Sequence, residues 1–224
     1  MEYSIEDRIA IVRDNIERAA DGRDVTLVGV AKTKPAELVR RAVAAGLSVI
    51  GENYVQELRD KTALGAYEGA AVHMIGHLQT NKVKYVAGKV DMIESVDSAA
   101  LLEAIGKRAA SLGAVQDVLI EINIGAEASK SGILPEALPE LLACAADISG
   151  IRIRGLMTIP PADGSAMYFS RMYHLFIDNK AKKYDNTIMD FLSMGMSDDY
   201  EAAIREGANM VRVGSFIFGP RNYT

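Results

Sequence analysis

Eight short β-branched runs, each followed by a stretch of helical periodicity, constrain this chain more than any other feature. They are VTLVGVAK (25–32), SVIGE (48–52), VHMIG (72–76), DMIESV (91–96), DVLIEINI (117–124), RIRGLMTI (152–159), DFLSMG (190–195) and MVRVGS (210–215). Each has the length of a buried strand, and the intervals carry helix signals. Pro35 stands at a first-turn position with Gly46 as a stop, while SAALLEAIGKRAASLG, PEALPELLACAADISG and residues 197–207 read as further helices. Ahead of the first run, Ser4 and Asp7 form a capping-box pattern, and Ile5, Ile9, Val12 and Ile16 recur at helical spacing until Asp21 and Gly22. Strict alternation of this kind predicts a parallel sheet covered by helices. Eight units favour closure into a (β/α)8 TIM barrel, with an extra N-terminal helix, over an open doubly wound sheet. No Pro/Gly/Ser-rich linker or long charge run divides the chain, so a single domain spanning 1–224 is expected. The interval from 160 to 190 is the longest between strands and the least periodic.

Charge narrows the function. With 25 Lys and Arg against 30 Asp and Glu, the formal net charge is −5, which argues against an electrostatic nucleic-acid binder. A composition 49% hydrophobic and 25% charged belongs to a soluble globular protein. The N-terminal stretch MEYSIEDRIAIVRDNIERAA is charged throughout, and no window approaches the roughly 18 apolar residues of a spanning helix. A cytoplasmic location is therefore expected. The one cysteine, Cys144, has no internal disulfide partner, and its setting in LLACAA predicts a small buried helix residue.

If the strands close, groups at their C-terminal ends share one mouth. Lys32 ends the first run, Asn53 follows the second, and His77 ends the third. Ser193 and Met194 end the seventh; Arg212, Gly214 and Ser215 end the eighth. Loops after strands seven and eight of such barrels commonly present backbone N–H groups to a phosphate, and RVGSFIFG supplies a glycine for close approach with a hydroxyl beside it. The alternative is that Gly214 only turns the chain and Ser215 caps a helix. A lysine attacks a carbonyl only as the neutral amine, a state that a half-buried position favours. Lys32 is thus either a nucleophile or a structural lysine that snorkels. Lys34 shares its parity and competes with it, although Pro35 places Lys34 in the loop. Strand alternation turns Arg212 to the same side as Gly214, into the barrel mouth. Its acceptor is either a carboxylate such as Glu121 or a ring nitrogen or phosphate of a ligand.

Other signals are weaker. His73 and His77 have a helical metal-ligand spacing but lie in a strand and loop, so hydrogen-bonding roles are expected of them. Asp198 and Asp199 read as a helix entry, and KTKP and TNKVKY as solvated basic surface. No Walker loop, dinucleotide fingerprint or nucleophile elbow is present.

Taken together, VAKTKP, GENYVQE, HMIGHLQTNK, INIGAEASKSGI, RGLMTIP and LSMGMSDDYEAAIREGANMVRVGSFIFG resemble, in order, the pyridoxal 5′-phosphate (PLP) homeostasis proteins. That family, also called proline synthase co-transcribed homologues, is similar in fold to the barrel domain of alanine racemase. The resemblance implies a vitamin B6 cofactor, pyridoxal 5′-phosphate, held as an internal aldimine on Lys32. It implies phosphate binding by Ser193, Gly214 and Ser215 with Met194 nearby, Arg212 facing the pyridine nitrogen, and Asn53 beside the ring. An arginine there would disfavour protonation of the ring nitrogen, making a poorer electron sink. Racemases of similar barrel fold overcome this with a second domain, for which this chain has no room. The implied role is therefore a carrier and buffer in PLP homeostasis and not an efficient enzyme, with apo forms of PLP enzymes as recipients and a monomer or weak dimer as the assembly. Neither nucleic acid nor membrane is expected as a partner. Two alternatives stand beside it: a slow PLP-dependent amino-acid racemase with His77 or Tyr54 as its base, and a cofactor-free isomerase of a phosphorylated sugar. Ser215 stands where threonine is frequent in the family, and the stretch 162–187 matches it poorly, so no role is transferred there.

Overall fold

The structure, a computed structural model, describes residues 3–161, 163 and 165–220. Its strands are β1 (Thr26–Val30), β2 (Val49–Glu52), β3 (Ala71–Met74), β4 (Met92–Val96), β5 (Gln116–Glu121), β6 (Ile151–Met157), β7 (Thr187–Ser193) and β8 (Met210–Val213). They close in sequence order into a parallel barrel, with β8 returning to β1 through Val28 opposite Arg212. All eight expected strands are present. The helices are α1 (Ile5–Ala20), α2 (Ala36–Ala44), α3 (Val55–Ala63), α4 (Ala99–Ser111), α5 (Leu138–Ala145), α6 (Ser165–Lys180), α7 (Tyr200–Arg205) and α8 (Ser215–Phe218). Between β3 and β4 the crossover is only a 3-10 turn, Thr80–Tyr85.

Local chemistry explains the boundaries. Ser4 Oγ accepts from Asp7 N–H at 3.1 Å while Asp7 Oδ2 accepts from Ser4 N–H at 3.1 Å, so both ends of the capping box are made. The face of α1 carrying Ile5, Ile9, Val12 and Ile16 is buried, and the helix packs on α2, α7 and α8. Pro35 turns out to be the N-cap of α2, one position ahead of the first turn, and Gly46 takes φ 90° just past its end. Cys144 corrects the sequence reading: it is exposed. The buried stripe of α5 runs through Leu138, Leu141, Leu142 and Ala145, and Cys144 falls off it by phase.

Strand parity builds two cores. Val28, Met92, Leu119, Met157 and Met210 fill the barrel interior, with Val49 and Phe191 packed against them. A larger layer, including Ile50, Ile93, Ile120, Leu156, Leu192 and Val211, lies between the strands and the helices. Gly155 sits where the β6–β7 register shifts; at φ 151° it brings its Cα so close to β7 that a Cβ would lie 1.8 Å from Phe191 O. At the N-terminal end, Asp117 accepts from Arg152 Nε and Arg154 Nη1, each at 2.7 Å, and Arg154 reaches on to Asp190 at 2.7 Å. Among the described residues no helix is long and apolar enough to cross a membrane.

Candidate functional site

The strand β1 stops at Val30, so Lys32 stands beyond it and not within it. Ala31 N–H still donates to Gly51 O of β2 at 3.0 Å, and then the backbone swings away: Thr33 takes φ 62°, and Lys34 N–H closes the turn on Ala31 O at 3.1 Å. This exit leaves Lys32 half-buried on the barrel mouth, at the wall of a pocket of about 220 Å³. From β1 the wall takes Val30, Lys32 and Lys34; from the loop after β7 it takes Met196, Ser197 and Asp198; from β8 and its exit it takes Arg212, Gly214 and Ser215. The wall combines a lysine from the exit of β1 with hydroxyls and bare backbone from the exits of β7 and β8, and β1 and β8 are neighbours in the barrel.

The β8 side is shaped for close approach. A Cβ on Gly214 would lie 3.1 Å from Val30 Cβ, tighter than ordinary contact, and with glycine there the backbone is left bare at this wall. Its N–H donates to Ser197 Oγ at 3.3 Å, a long bond that ties the β7 and β8 loops together. The amine of Lys34 donates to Pro220 O at 2.6 Å. Burial, with the charge of Arg8 behind it, holds the Lys34 pKa below that of an ordinary lysine.

Beneath the pocket the interior is polar and fully wired. Arg212, 4% exposed, donates from Nη1 to Ser193 Oγ at 2.6 Å and from Nη2 to Thr158 O at 2.8 Å. Ser193 Oγ in turn donates to Glu94 Oε2 at 2.6 Å, and the other Glu94 oxygen meets His73 Nδ1 at 2.7 Å. Burial works to raise the Glu94 pKa, but the bonds from His73 and Ser193 and the charges of His73 and Arg212 prevail, so it lies below the ordinary carboxylate value. Burial lowers that of Arg212 while Glu94, Glu121 and Asp199 oppose the shift; its guanidinium remains charged. Glu121, pushed up to about 7 by burial and then by Asp97 against the opposing charge of Arg212, makes no ion pair with it. The sequence-level partner of Arg212 is thus replaced by a serine and a carbonyl.

Two candidates stand off the pocket wall. Ser193 is fully buried with its hydroxyl spent between Arg212 and Glu94, and Met194 points outward into the layer beneath the helices. Alternation along β7 forces that opposition. The pocket wall instead carries Met196 and Ser197, from the same LSMGMS block but past the strand end. The sequence signal was present: the block holds a second Met and Ser, and residues beyond a barrel strand face the mouth. Asn53 lines a neighbouring rim groove of about 440 Å³ together with Tyr54, Arg59, His77 and Lys82. Its Oδ1 is buried without a hydrogen-bond partner among the described residues. His77 is exposed and pairs with Asp97 at 3.2 Å. Asp199 is the N-cap position of α7 but its carboxylate accepts from Met196 N–H at 2.7 Å, steadying the loop that carries Ser197.

Residues 7–222 match the family model of the alanine racemase N-terminal domain. The chain is 44% identical over 212 residues to the pyridoxal phosphate homeostasis protein of Aquifex aeolicus, covering 92% of each. It superposes on the structure of PipY from Synechococcus elongatus with PLP bound at a TM-score of 0.83 and 31% identity, covering 96% of this chain and 100% of that one. An alanine racemase of Clostridium difficile shares the fold at a TM-score of 0.72 and 19% identity, with 96% of this chain matched to 60% of the racemase.

Proposed function

The chain belongs to the pyridoxal phosphate homeostasis proteins, and from that premise we infer that it binds pyridoxal 5′-phosphate at the Lys32 pocket, captures the aldehyde covalently, and carries or buffers the cofactor. The single observation that carries this reading is the pocket's donor set: Lys32 shares one lining with the bare backbone of Gly214 and with Ser197 and Ser215. That set fits the molecule at both ends. A phosphate calls for N–H and O–H donors at close backbone approach, which the β7 and β8 exits supply. An aldehyde calls for an amine, which forms a carbon–nitrogen bond with loss of water. The buried, unpartnered Oδ1 of Asn53 at the adjoining rim is a further polar group with an unmet bond.

When bound, PLP supplies an electron sink whose strength depends on protonation of its ring nitrogen. The guanidinium of Arg212 at the pocket floor is fixed by Ser193 and Thr158 and offers a permanent positive charge there. A cation at that position opposes ring protonation, which weakens carbanion chemistry and favours holding over turnover.

Titration of the purified protein with PLP tests the reading. A saturable visible absorption band is expected, together with no deuterium exchange at Cα of single-enantiomer amino acids at the usual enzymatic rates of about 1–1000 per second. Exchange at such rates would establish a racemase-like enzyme, and a protein that stays colourless and binds a phosphorylated sugar would establish the isomerase.

A further inference from the structure

The geometry points to a buried brace on α3, built from Lys61 and Glu57 with Glu52 beneath them, that positions Lys32 for aldehyde capture; the inference rests on the reading above. Lys61 is 5% exposed and shares the buried face of α3 with Leu58. Its amine donates to Ala31 O at 2.7 Å, to Glu52 Oε1 at 2.7 Å and to Glu57 Oε2 at 3.0 Å. Glu57 Oε2 also accepts from Thr33 N–H at 2.7 Å. The carbonyl just before Lys32 and the amide just after it are therefore both held by one ion-paired cluster on a neighbouring helix. Tyr67 OH completes the cluster by donating to Glu52 Oε1 at 2.9 Å.

Two further observations make the brace more than packing. Thr33 is held at φ 62°, a region that a β-branched residue avoids, and such backbone persists only where its surroundings over-determine it. The charge-assisted bond from Thr33 N–H to Glu57 supplies that constraint. Secondly, a buried lysine paired with a buried glutamate is poor value for stability alone, since well-packed apolar replacements of such pairs are often neutral or stabilising. Here Lys61 and its half-buried partner Glu57 each grip one of the two peptide groups flanking a single residue, and that residue is the lysine at the pocket wall. Fixing both peptides fixes the direction in which the Lys32 side chain leaves the backbone.

Three variants test this, read by PLP titration, by borohydride trapping mapped to Lys32, by thermal midpoint and by amide exchange at Thr33. Glu57→Ala removes the acceptor for Thr33 N–H and is expected to weaken PLP binding between about 10- and 100-fold, as small misplacements of a reacting group do, and to speed Thr33 exchange. Glu57→Gln keeps an acceptor and should recover most of the loss. The double variant Lys61→Met with Glu52→Gln removes the lysine bond to Ala31 O, which then keeps only its turn bond from Lys34 N–H, without leaving a lone buried charge; it should keep its thermal midpoint while losing affinity and trapping rate. Wild-type binding and exchange in Glu57→Ala, a Glu57→Gln protein as weak as Glu57→Ala, or losses that merely track the thermal midpoint would overturn the brace. Failure of the unaltered protein to label at Lys32 would instead sink the cofactor reading, while Thr33 exchange still reports whether Glu57 holds the turn.

Discussion

The two ends of the barrel solve opposite problems with similar residues. At the N-terminal end Arg152, Asp117, Arg154 and Asp190 form a chain of ion pairs in which each charge meets its opposite, and the Arg154 guanidinium also lies 5.1 Å over the Phe191 ring. At the C-terminal end an arginine is again central, but Arg212 is held by a hydroxyl and a carbonyl, with its carboxylate, Glu94, one residue removed behind Ser193. That end also holds the left-handed Thr33 and the orphaned amide oxygen of Asn53. Saturated pairing closes a surface, whereas indirect pairing and unmet polar groups leave charge available to a ligand. The lower end is built for stability and the upper for binding, which is the division expected of this fold.

The sharpest way to break that comparison is Arg212→Met. Removing this guanidinium leaves Ser193 and the buried Glu94 without their cation, so a loss of about 3–5 kcal/mol in urea unfolding is expected together with loss of PLP binding. A variant that binds PLP normally would show the floor to be purely structural. Next in size is Glu121, whose pKa of about 7 in the folded chain stands above its ordinary 4.5. A raised acid stabilises the fold fully below about pH 4.5, and that contribution fades as pH rises through about 7, a swing on the order of 3 kcal/mol. The Glu121→Gln protein should lose this pH dependence; an unchanged stability profile from pH 4 to about 8 would contradict it. Arg154→Met, at the other end, should cost about 1–2 kcal/mol because its pairs are partly solvated, and should leave the PLP titration untouched. Any shift in affinity there would mean that the two ends are coupled. Cys144→Ser is the smallest: exposed and off the α5 stripe, it should change stability by no more than about 0.5 kcal/mol, whereas a buried cysteine would cost more.

The fold was legible because alternation of β-branched runs with capped helices leaves few topologies, and each run found its strand. The site was legible to the level of the loop but not always of the side chain. Parity along β7 turned Ser193 inward and Met194 outward, and only the coordinates show that the mouth begins two residues later, at Met196 and Ser197. The inward turn of Arg212 followed from the same parity and stands, but its partners did not: Thr158 is 54 residues away in sequence, and no spacing rule links them. The α3 brace was invisible for that reason also. Glu57 and Lys61 stand at ordinary i,i+4 spacing, and what they grip, Ala31 O and Thr33 N–H, is fixed by packing.

The most direct test of the account is to load the protein with PLP, reduce it with borohydride, and locate the modified lysine by peptide mass mapping. The label is expected on Lys32, with none in a Lys32→Ala protein of unchanged thermal midpoint. Label confined to Lys34, the other lysine at the pocket wall, or the absence of any reducible adduct, would contradict it.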